Sequence, residues 1–311
     1  MSWSTKDIPD QSGKLALITG ATGGLGYETA LELARAGADV VLTGRNADKG
    51  SAALARIRAE VPGAKVSYES LDLSALANVA AFAERFAGAH GHLDILVNNA
   101  GVMAPPQRVL SSDGLELQFA TNYLSHFALT ARLLPQLVAA PAPRVVPLAS
   151  IAARQGRIDF ANLQSERHYE PMVAYSQSKL ACLMFGFELQ RRSDANGWGI
   201  ASIAAHPGVA RTELVVNGMG NASPAGLARR YLSLLFQPVP QAALPTLMAA
   251  IDPHATPGGY YGPQALFEIR GRPGAASAPP QSLDLAVARR LWEVSEELSS
   301  VRLPTRTALT A

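Results

Sequence analysis

This sequence contains very little cysteine and has almost no net charge. Cys182 is the single cysteine among 311 residues, so no disulfide can form within the chain. Because disulfides are rare in reducing compartments, we predict a cytoplasmic protein. The 27 basic and 25 acidic residues nearly cancel, whereas a protein that wraps nucleic acid needs a basic face. His126 and His168 have no partners at metal-site spacing, so we predict neither nucleic acid nor a metal as a ligand.

Long apolar runs are missing as well. A membrane-spanning helix needs ~18 or more uninterrupted apolar residues, and the nearest candidate, residues 231–251, is interrupted by prolines and glutamines. We therefore expect no membrane span. Residues 1–13 form a polar leader without the apolar core of a secretion signal. The 48% hydrophobic content predicts that residues 14–311 build one domain around a large core.

Short apolar runs alternate with segments of helical period along most of the chain. The runs predict strands at 15–19, 38–43, 65–71, 93–98, 144–150 and 200–206. Helices are predicted at 24–36, 47–60, from a Ser74 cap to about 89, at 114–137, 172–193 and 283–298. This alternation is typical of an α/β fold with a single doubly wound parallel sheet, Rossmann-like and of about seven strands, with helices on both faces. Residues 253–282 are rich in proline, glycine and alanine and predict a long surface loop before the terminal helix.

Two of the predicted helices are apolar nearly all round. They cover residues 117–134 and 173–189, and such helices must be buried on both sides. One side faces the sheet, and a second copy of the chain is a candidate for the other, which would make the protein a homo-oligomer. Pro135 is expected to kink or end the first of these helices.

A glycine-rich turn, residues 19–26, joins the first strand to the first helix. Glycines let the backbone approach a pyrophosphate, and the helix N-terminus offers free N–H groups to it. The alternative is a tight turn in which the glycines merely supply positive φ angles. The position after the first strand of an alternating chain favours a dinucleotide site. The predicted contacts are Gly20, Thr22, Gly24, Leu25 and Gly26.

The spacing Thr-Gly-x-x-x-Gly-x-Gly resembles the short-chain dehydrogenase/reductase superfamily. Further motifs of that family follow in order: Asp72-Leu73, Asn98-Asn-Ala-Gly101, Asn122, Ser150, Tyr175-x-x-x-Lys179, Pro207-Gly208 and Thr212. The 25-residue gap from Ser150 to Tyr175, the string at 122–127 and the tail at 290–294 resemble the retinol-dehydrogenase-like branch. The resemblance extends over most of the chain.

This resemblance implies hydride transfer and gives four residues a role in catalysis. Tyr175 is the acid or base, and Lys179 lies four residues later on the same helical face, where its charge favours the tyrosinate. Ser150 orients the substrate oxygen, and Asn122 holds a water linked to the lysine. Taken singly, these residues have plainer interpretations. Tyr175 and Lys179 could be an exposed pair, Ser150 a strand-end serine bound to local backbone, and Asn122 a core amide.

The resemblance also implies the remaining cofactor contacts. Tyr175 and Lys179 bind the nicotinamide ribose side, and Asp72 and Leu73 lie near adenine. The end of the fourth strand and the segment after the sixth supply the others: Asn99, Ala100, Gly101, Pro207, Gly208, Val209 and Thr212.

The choice of cofactor is predicted from the end of the second strand. Enzymes that use NAD place an acidic residue there, whereas a basic residue can accept the 2′-phosphate of NADP(H). Here Arg45 and Asn46 follow the strand, and no carboxylate precedes Asp48. We therefore predict NADP(H), the alternative being that Arg45 is an ordinary surface arginine.

The predicted substrate lid, residues about 213–238, is mostly apolar. It indicates a small-molecule substrate that is an apolar or bulky alcohol or ketone, and hence a carbonyl reductase or alcohol dehydrogenase. Two alternatives are a non-catalytic dinucleotide-sensing protein and a sugar-nucleotide epimerase-type enzyme of the same fold. Pro147 departs from the family pattern, and we expect a bulge or an early strand end there that shifts Ser150. The candidate substrate contacts are Leu214, Val215, Val216 and Met219.

Overall fold

A parallel sheet of six strands forms the centre of the molecule in a computed structural model that describes residues 3–209 and 237–303. The spatial order of its strands is β3-β2-β1-β4-β5-β6. The strands are β1 (Leu15–Ile18), β2 (Asp39–Gly44), β3 (Val66–Ser70), β4 (Ile95–Asn98), β5 (Arg144–Pro147) and β6 (Ala201–Ser202). All residues of β1 and β4 are buried, as expected of strands covered on both faces.

Helices cover both faces of this sheet, and each face has its own hydrophobic cluster. One cluster joins α1 (Gly24–Arg35), α2 (Ala47–Glu60) and α8 (Val239–Ile251) to the sheet. The other joins α3 (Leu76–Ala89), α5 (Ser125–Arg132), α7 (Pro171–Asn196) and α9 (Leu285–Ser299). The predicted doubly wound fold is confirmed. No helix within the described ranges is long and apolar enough to cross a membrane.

The prediction of a surface loop over residues 253–282 is wrong. Strands β8 (Tyr260–Ala265) and β9 (Arg270–Ala275) form an antiparallel hairpin there, and β8 pairs in parallel with β7 (Ala204–Ala205). A bridge from Leu148 to Ala205 links this second sheet to the end of β5. Packing explains at least one glycine that resembles a turn residue: a Cβ on Gly262 would lie 1.9 Å from Nε2 of His206.

The predicted sixth strand is divided because its backbone changes partners. The N–H of Ile203 still donates to Val145 of β5, whereas the N–H of Ala204 donates to Gly259, just before β8. β6 therefore belongs to the central sheet and β7 to the second one.

The predicted long helix at 114–137 is not continuous. It consists of α4 (Leu117–Phe119), a π-helical turn (Ala120–Leu124), α5 and α6 (Leu134–Ala139). The helix is interrupted at Leu133, and Pro135 lies in the first turn of α6. The prediction that Pro135 kinks or ends the helix is therefore confirmed.

Two local predictions near strand ends have different outcomes. The strand β5 ends at Pro147, which confirms the expected early end, although Leu148 still donates its N–H to Asn98. Ser74 does not cap α3: its hydroxyl donates to Asp72, and Asp113 accepts the N–H of Leu76 instead. A carboxylate from a distant loop thus replaces the local cap that the sequence suggested.

The C-terminal helix α9 covers the outer side of α5 and α7. The ring of Trp292 contacts Phe127 edge-on at 4.9 Å and stacks on Phe185 at 5.9 Å between centroids. The hydroxyls of Tyr123 and Ser295 share a hydrogen bond of 2.7 Å. The two apolar helices are therefore covered on this side within a single chain. The predicted homo-oligomer remains a prediction.

Candidate active site

A cleft of about 660 Å³ opens at the carboxyl ends of β1, β2 and β4. Ligands of open α/β sheets bind at this edge. Most of the predicted cofactor contacts line the cleft: Gly20, Thr22, Gly24, Leu25, Arg45, Asp72, Leu73, Asn99, Ala100, Gly101 and Lys179.

The N-terminus of α1 faces this cleft without a side-chain cap. Gly23 is the N-cap residue, and a Cβ placed on it would meet nothing within 4 Å. Packing therefore does not require this glycine, and its missing side chain leaves open space beside the first N–H groups of the helix. An anion fits such a terminus, because the N–H groups and the helix dipole both favour negative charge. The residues present thus fit the pyrophosphate of a dinucleotide.

The other glycines of the turn bring it close to the end of β4. Gly20 has φ +65°, and a Cβ on it would lie 2.9 Å from Ala100. A Cβ on Gly26 would lie 2.6 Å from Nδ2 of Asn99, so Gly26 permits close packing rather than lining the cleft. That Asn99 amide donates to the carbonyl of Thr19 at 2.7 Å.

A buried hydrogen-bond chain connects the glycine turn to the π-helical turn. The hydroxyl of Thr19 accepts the N–H groups of Asn99 and Ala100, both at 2.9 Å, and lies 2.8 Å from Nε2 of His126. The Nδ1 of His126 faces the carbonyl of Asn122 at 2.8 Å, so Nδ1 carries the proton and Nε2 accepts from Thr19. Burial, aided by the charge of Lys179, lowers the pKa of His126 to about 4. The sequence motif offered no signal for this role of His126.

Asn122 lies in the π-helical turn with protein partners on all its polar groups. Its Oδ1 accepts the N–H of Val102 at 2.7 Å, and its Nδ2 donates to the Val102 carbonyl and to Ser178, both at 2.9 Å. Its main-chain carbonyl also accepts from Cys182 at 3.1 Å. The amide thus ties this helix to the loop after β4, as the core-amide interpretation expects.

Tyr175 and Lys179 lie in the first half of α7 and are buried. The ammonium of Lys179 donates to the carbonyl of Leu148 at 3.0 Å. Within the described ranges no carboxylate pairs with it. A Cβ on Gly101 would lie 3.6 Å from this ammonium and 3.1 Å from Oδ1 of Asn122. A buried cation is costly unless it is compensated, and this lysine lines the cleft at the end of the sheet.

Ser150 lies beyond the end of β5 and is half-buried. Its Oγ accepts the N–H of Ala152 at 3.2 Å and so caps a 3₁₀ turn, Ile151–Gln155. Gly156 follows this turn against α7, where a Cβ on it would lie 2.5 Å from the carbonyl of Ser176. The fold therefore holds the Ser150 turn against the helical turn that carries Tyr175.

A group of basic side chains lines the cleft beyond β2. Arg45 lines the cleft there and is exposed, and Lys49 and Arg56 of α2 join it. The Arg56 guanidinium lies 4.0 Å from the centroid of the Tyr27 ring. Lys49 and Arg56 are seven residues apart, a spacing that places them on one face of α2, and this periodicity could have identified them. Asn46 caps α2 by accepting the N–H of Lys49 and does not line the cleft.

The segment Pro207–Val209 follows β7 and does not line the cleft either. Val209 donates its N–H to the carbonyl of Ile269 at 2.9 Å, and Gln237 donates to the carbonyl of Pro207 at 3.0 Å. The predicted lid at 213–238 lies outside the described residues apart from its last two residues. The same is true of one predicted cofactor residue, Thr212, and of the four predicted substrate residues, Leu214, Val215, Val216 and Met219.

The fold and the site together define a class of protein, the dinucleotide-dependent oxidoreductases with a doubly wound sheet. The chain belongs to the short chain dehydrogenase family, whose model matches residues 14–219. It is thus an oxidoreductase that acts on alcohol or carbonyl groups with a nicotinamide cofactor of the NAD(P) type.

Several known proteins are similar over nearly the whole chain. Retinol dehydrogenase 13 of Mus musculus is 40% identical over 292 residues, covering 92% of this chain and 84% of that protein. Polyprenol dehydrogenase of Mus musculus is 38% identical and covers 92% of this chain and 83% of its own length. The family and its retinol-dehydrogenase-like branch are therefore confirmed.

Solved structures agree with this assignment. An uncharacterised protein from Mycobacterium paratuberculosis has a TM-score of 0.80 and 36% identity, covering 98% of this chain and 100% of that one. A structure described as an NAD(P)-dependent gluconate 5-dehydrogenase from Beutenbergia cavernae, with bound NADP, has a TM-score of 0.64 and 25% identity. It covers 81% of this chain and 95% of that one.

Proposed function

We propose that the protein interconverts an apolar or bulky alcohol and its ketone with NADP(H). The observation that carries this proposal is the buried Lys179, which has no carboxylate partner in the described part of the chain and reaches the cofactor cleft from the helix that bears Tyr175. A structural lysine would be expected at the surface or beside a carboxylate.

Each residue has a defined task in the proposed reduction. Bound NADPH would supply the hydride to the carbonyl carbon. Tyr175 gives its hydroxyl proton to the carbonyl oxygen, so an alcohol and a tyrosinate result, and the Lys179 charge stabilises that tyrosinate. Ser150 donates a hydrogen bond to the same oxygen and stabilises its developing charge. Oxidation of the alcohol runs through these steps in reverse.

Turnover with a panel of ketones tests this reaction. Tyr175→Phe should lower kcat by roughly 10²- to 10⁴-fold, the usual contribution of an acid–base group, and leave NADPH binding nearly unchanged. Tyr169→Phe is a matched control, because it removes a hydroxyl that donates to the Pro105 carbonyl and does not line the cleft. More than a tenth of the wild-type kcat in Tyr175→Phe would contradict the role given to this residue.

The preference for NADP(H) rests on the basic group around Arg45. A 2′-phosphate carries about −1.5 to −2 charges at neutral pH, and a charged hydrogen bond contributes ~1.5–3 kcal/mol. This corresponds to roughly a 10- to 150-fold preference over NAD(H). The NADP bound to the Beutenbergia cavernae structure supports the proposal from a relative.

The cofactor preference is measured as kcat/KM with NADPH and with NADH. Arg45→Asp should reverse the preference, because it removes an attraction and adds a repulsion. Arg289→Asp makes the same change of charge on the exposed side of α9, away from the cleft, and should leave the preference intact. Equal or better use of NADH by the unmutated protein would contradict the proposal.

The proposed substrate class rests on the apolar residues of the lid segment. Relatives named for retinol and polyprenol, both large apolar alcohols, support it. Comparing ketones of increasing size at one concentration of NADPH tests this class: kcat/KM should rise with apolar bulk.

A further inference from the structure

Glu268 lies at the tip of the β8–β9 hairpin and contacts two segments that follow different strands. Its Oε2 accepts from Nε2 of His206 at 3.0 Å and from the Arg154 guanidinium at 2.7 Å. Its Oε1 accepts the N–H of Ser277 at 2.9 Å. Arg154 belongs to the 3₁₀ turn that Ser150 caps, and His206 directly precedes Pro207. One carboxylate therefore joins the Ser150 turn to the segment after β7.

The imidazole of His206 links Glu268 to the backbone of Gly208. Its Nδ1 accepts the N–H of Gly208 at 3.2 Å, so Nε2 carries the proton that points at Glu268. The side chain is 1% exposed, and burial lowers the pKa of the imidazole, which favours the neutral ring. The ring packs so closely against Gly262 that no side chain fits at that position.

The hairpin tip also holds both segments through its backbone. A second nitrogen of Arg154 donates to the carbonyl of Phe267 at 2.9 Å. The carbonyl of Ile269 accepts the N–H of Val209, and a Cβ on Gly208 would lie 2.3 Å from that carbonyl oxygen. The Ser150 turn and the Pro207–Val209 segment thus meet at three consecutive residues of the tip, Phe267, Glu268 and Ile269.

The backbone of this tip is strained. Leu266, Phe267 and Glu268 have φ angles of 49°, 56° and 65°, a left-handed backbone conformation that residues other than glycine rarely adopt. Phe267 is 87% exposed, so its side chain gains no burial from this geometry. Such strain persists where surrounding contacts enforce it, and here those contacts are the ones made by Glu268 and by the Phe267 carbonyl.

We propose that Glu268 is a positioning residue that fixes the Ser150 turn relative to the Pro207–Val209 segment. The inference rests on the proposed function, in which Ser150 holds the substrate oxygen, and on the prediction from the family resemblance that Pro207, Gly208 and Val209 contact the cofactor. In this proposal Glu268 contacts neither the substrate nor the cofactor. It sets the distance between the groups that hold the hydride donor and acceptor, and a misplacement of about 1 Å can reduce turnover by up to ~10²-fold.

Glu268→Gln tests the proposal, because glutamine keeps the size of the side chain and removes the charge shared by His206 and Arg154. We expect kcat to fall roughly 10- to 100-fold and the Kd of NADPH, followed by its fluorescence, to rise about threefold or more. The melting temperature and circular dichroism should show that the variant is folded. Glu166→Gln is the matched control: it removes the carboxylate that lies 4.0 Å from Arg108 and is mostly exposed, and both constants should stay within about twofold.

The variants Arg154→Gln and Arg154→Gln/Glu268→Gln separate positioning from a general loss of stability. If both residues act through one contact, the double variant should be no slower than the slower single variant. The proposal is overturned if Glu268→Gln keeps kcat and Kd within about twofold of the wild type, if the two single losses multiply, or if activity falls only with the folded fraction. If the wild type reduces no carbonyl compound, the proposed function fails. The positioning role is then tested by the Kd of NADPH for Glu268→Gln alone, and a Kd equal to that of the wild type overturns it.

Discussion

At the scale of single residues, His126 shows how a side chain outside the recognised motifs supports them. It connects Thr19 of the glycine turn to the Asn122 carbonyl, two motif positions that are 103 residues apart in sequence. The imidazole is neutral in the folded protein because burial penalises its charged form. Its protonation therefore opposes folding.

This histidine predicts a pH dependence of stability. Its pKa falls from 6.5 in the unfolded chain to about 4 in the folded protein, so the unfolded state binds more protons between those pH values. Stability should then decrease as the pH falls from 6.5 to 4, by up to about 3 kcal/mol from this group. Urea unfolding of wild type and His126→Gln across this range measures the difference. The variant should lose less stability on acidification, and His168→Gln, at the exposed surface, should follow the wild type. Parallel curves for all three proteins would contradict the prediction.

At the scale of elements, α9 supplies the cover that the apolar helices α5 and α7 require. Trp292 is 1% exposed, and the Arg192 guanidinium lies 4.2 Å from its ring centroid. Its indole N–H donates to Glu296 at 2.9 Å. The sequence pattern correctly required a cover for these helices but did not specify which segment provides it, since hydrophobic periodicity carries no information about distant partners.

Removal of this anchor should destabilise the fold. Trp292→Ala should lower the free energy of unfolding by about 3–5 kcal/mol, because it empties a fully buried aromatic site. Leu285→Ala in the same helix is 46% exposed and should cost less than about 1 kcal/mol. Urea denaturation measures both changes, and size-exclusion chromatography of Trp292→Ala should show self-association through the loosened face. Equal losses in the two variants would show that α9 does not act as a cover.

At the scale of the whole molecule, the sequence predicted the alternation that builds the central sheet but not the second sheet that β8 and β9 form with β7. Continuous apolar runs identify β1 and β4, whose side chains are all buried. The hairpin contains Gly262 and Pro263, which indicate turns when they are taken alone. Gly262 is required by a tertiary contact, the approach of the His206 ring, which cannot be seen in a local sequence pattern.

The candidate site also contains some features that local sequence patterns predict and others that depend on tertiary contacts. The glycine turn, Ser150, Tyr175 and Lys179 lie in short motifs next to strand ends, so their positions follow from the sequence once the elements are known. Contacts such as that between His206 and Glu268 join residues 62 positions apart. Such contacts depend on how separate elements pack, and no spacing rule within one element reports them.

The hairpin also determines how the sheet ends. β9 is the outermost strand in the described part of the second sheet, and it carries Arg270, Arg272 and Pro273. An edge strand with free N–H groups invites another chain to add a strand, whereas charge and proline prevent this. The two arginines and Pro273, a residue type that made this segment resemble a loop, thus oppose edge-to-edge aggregation of the molecule.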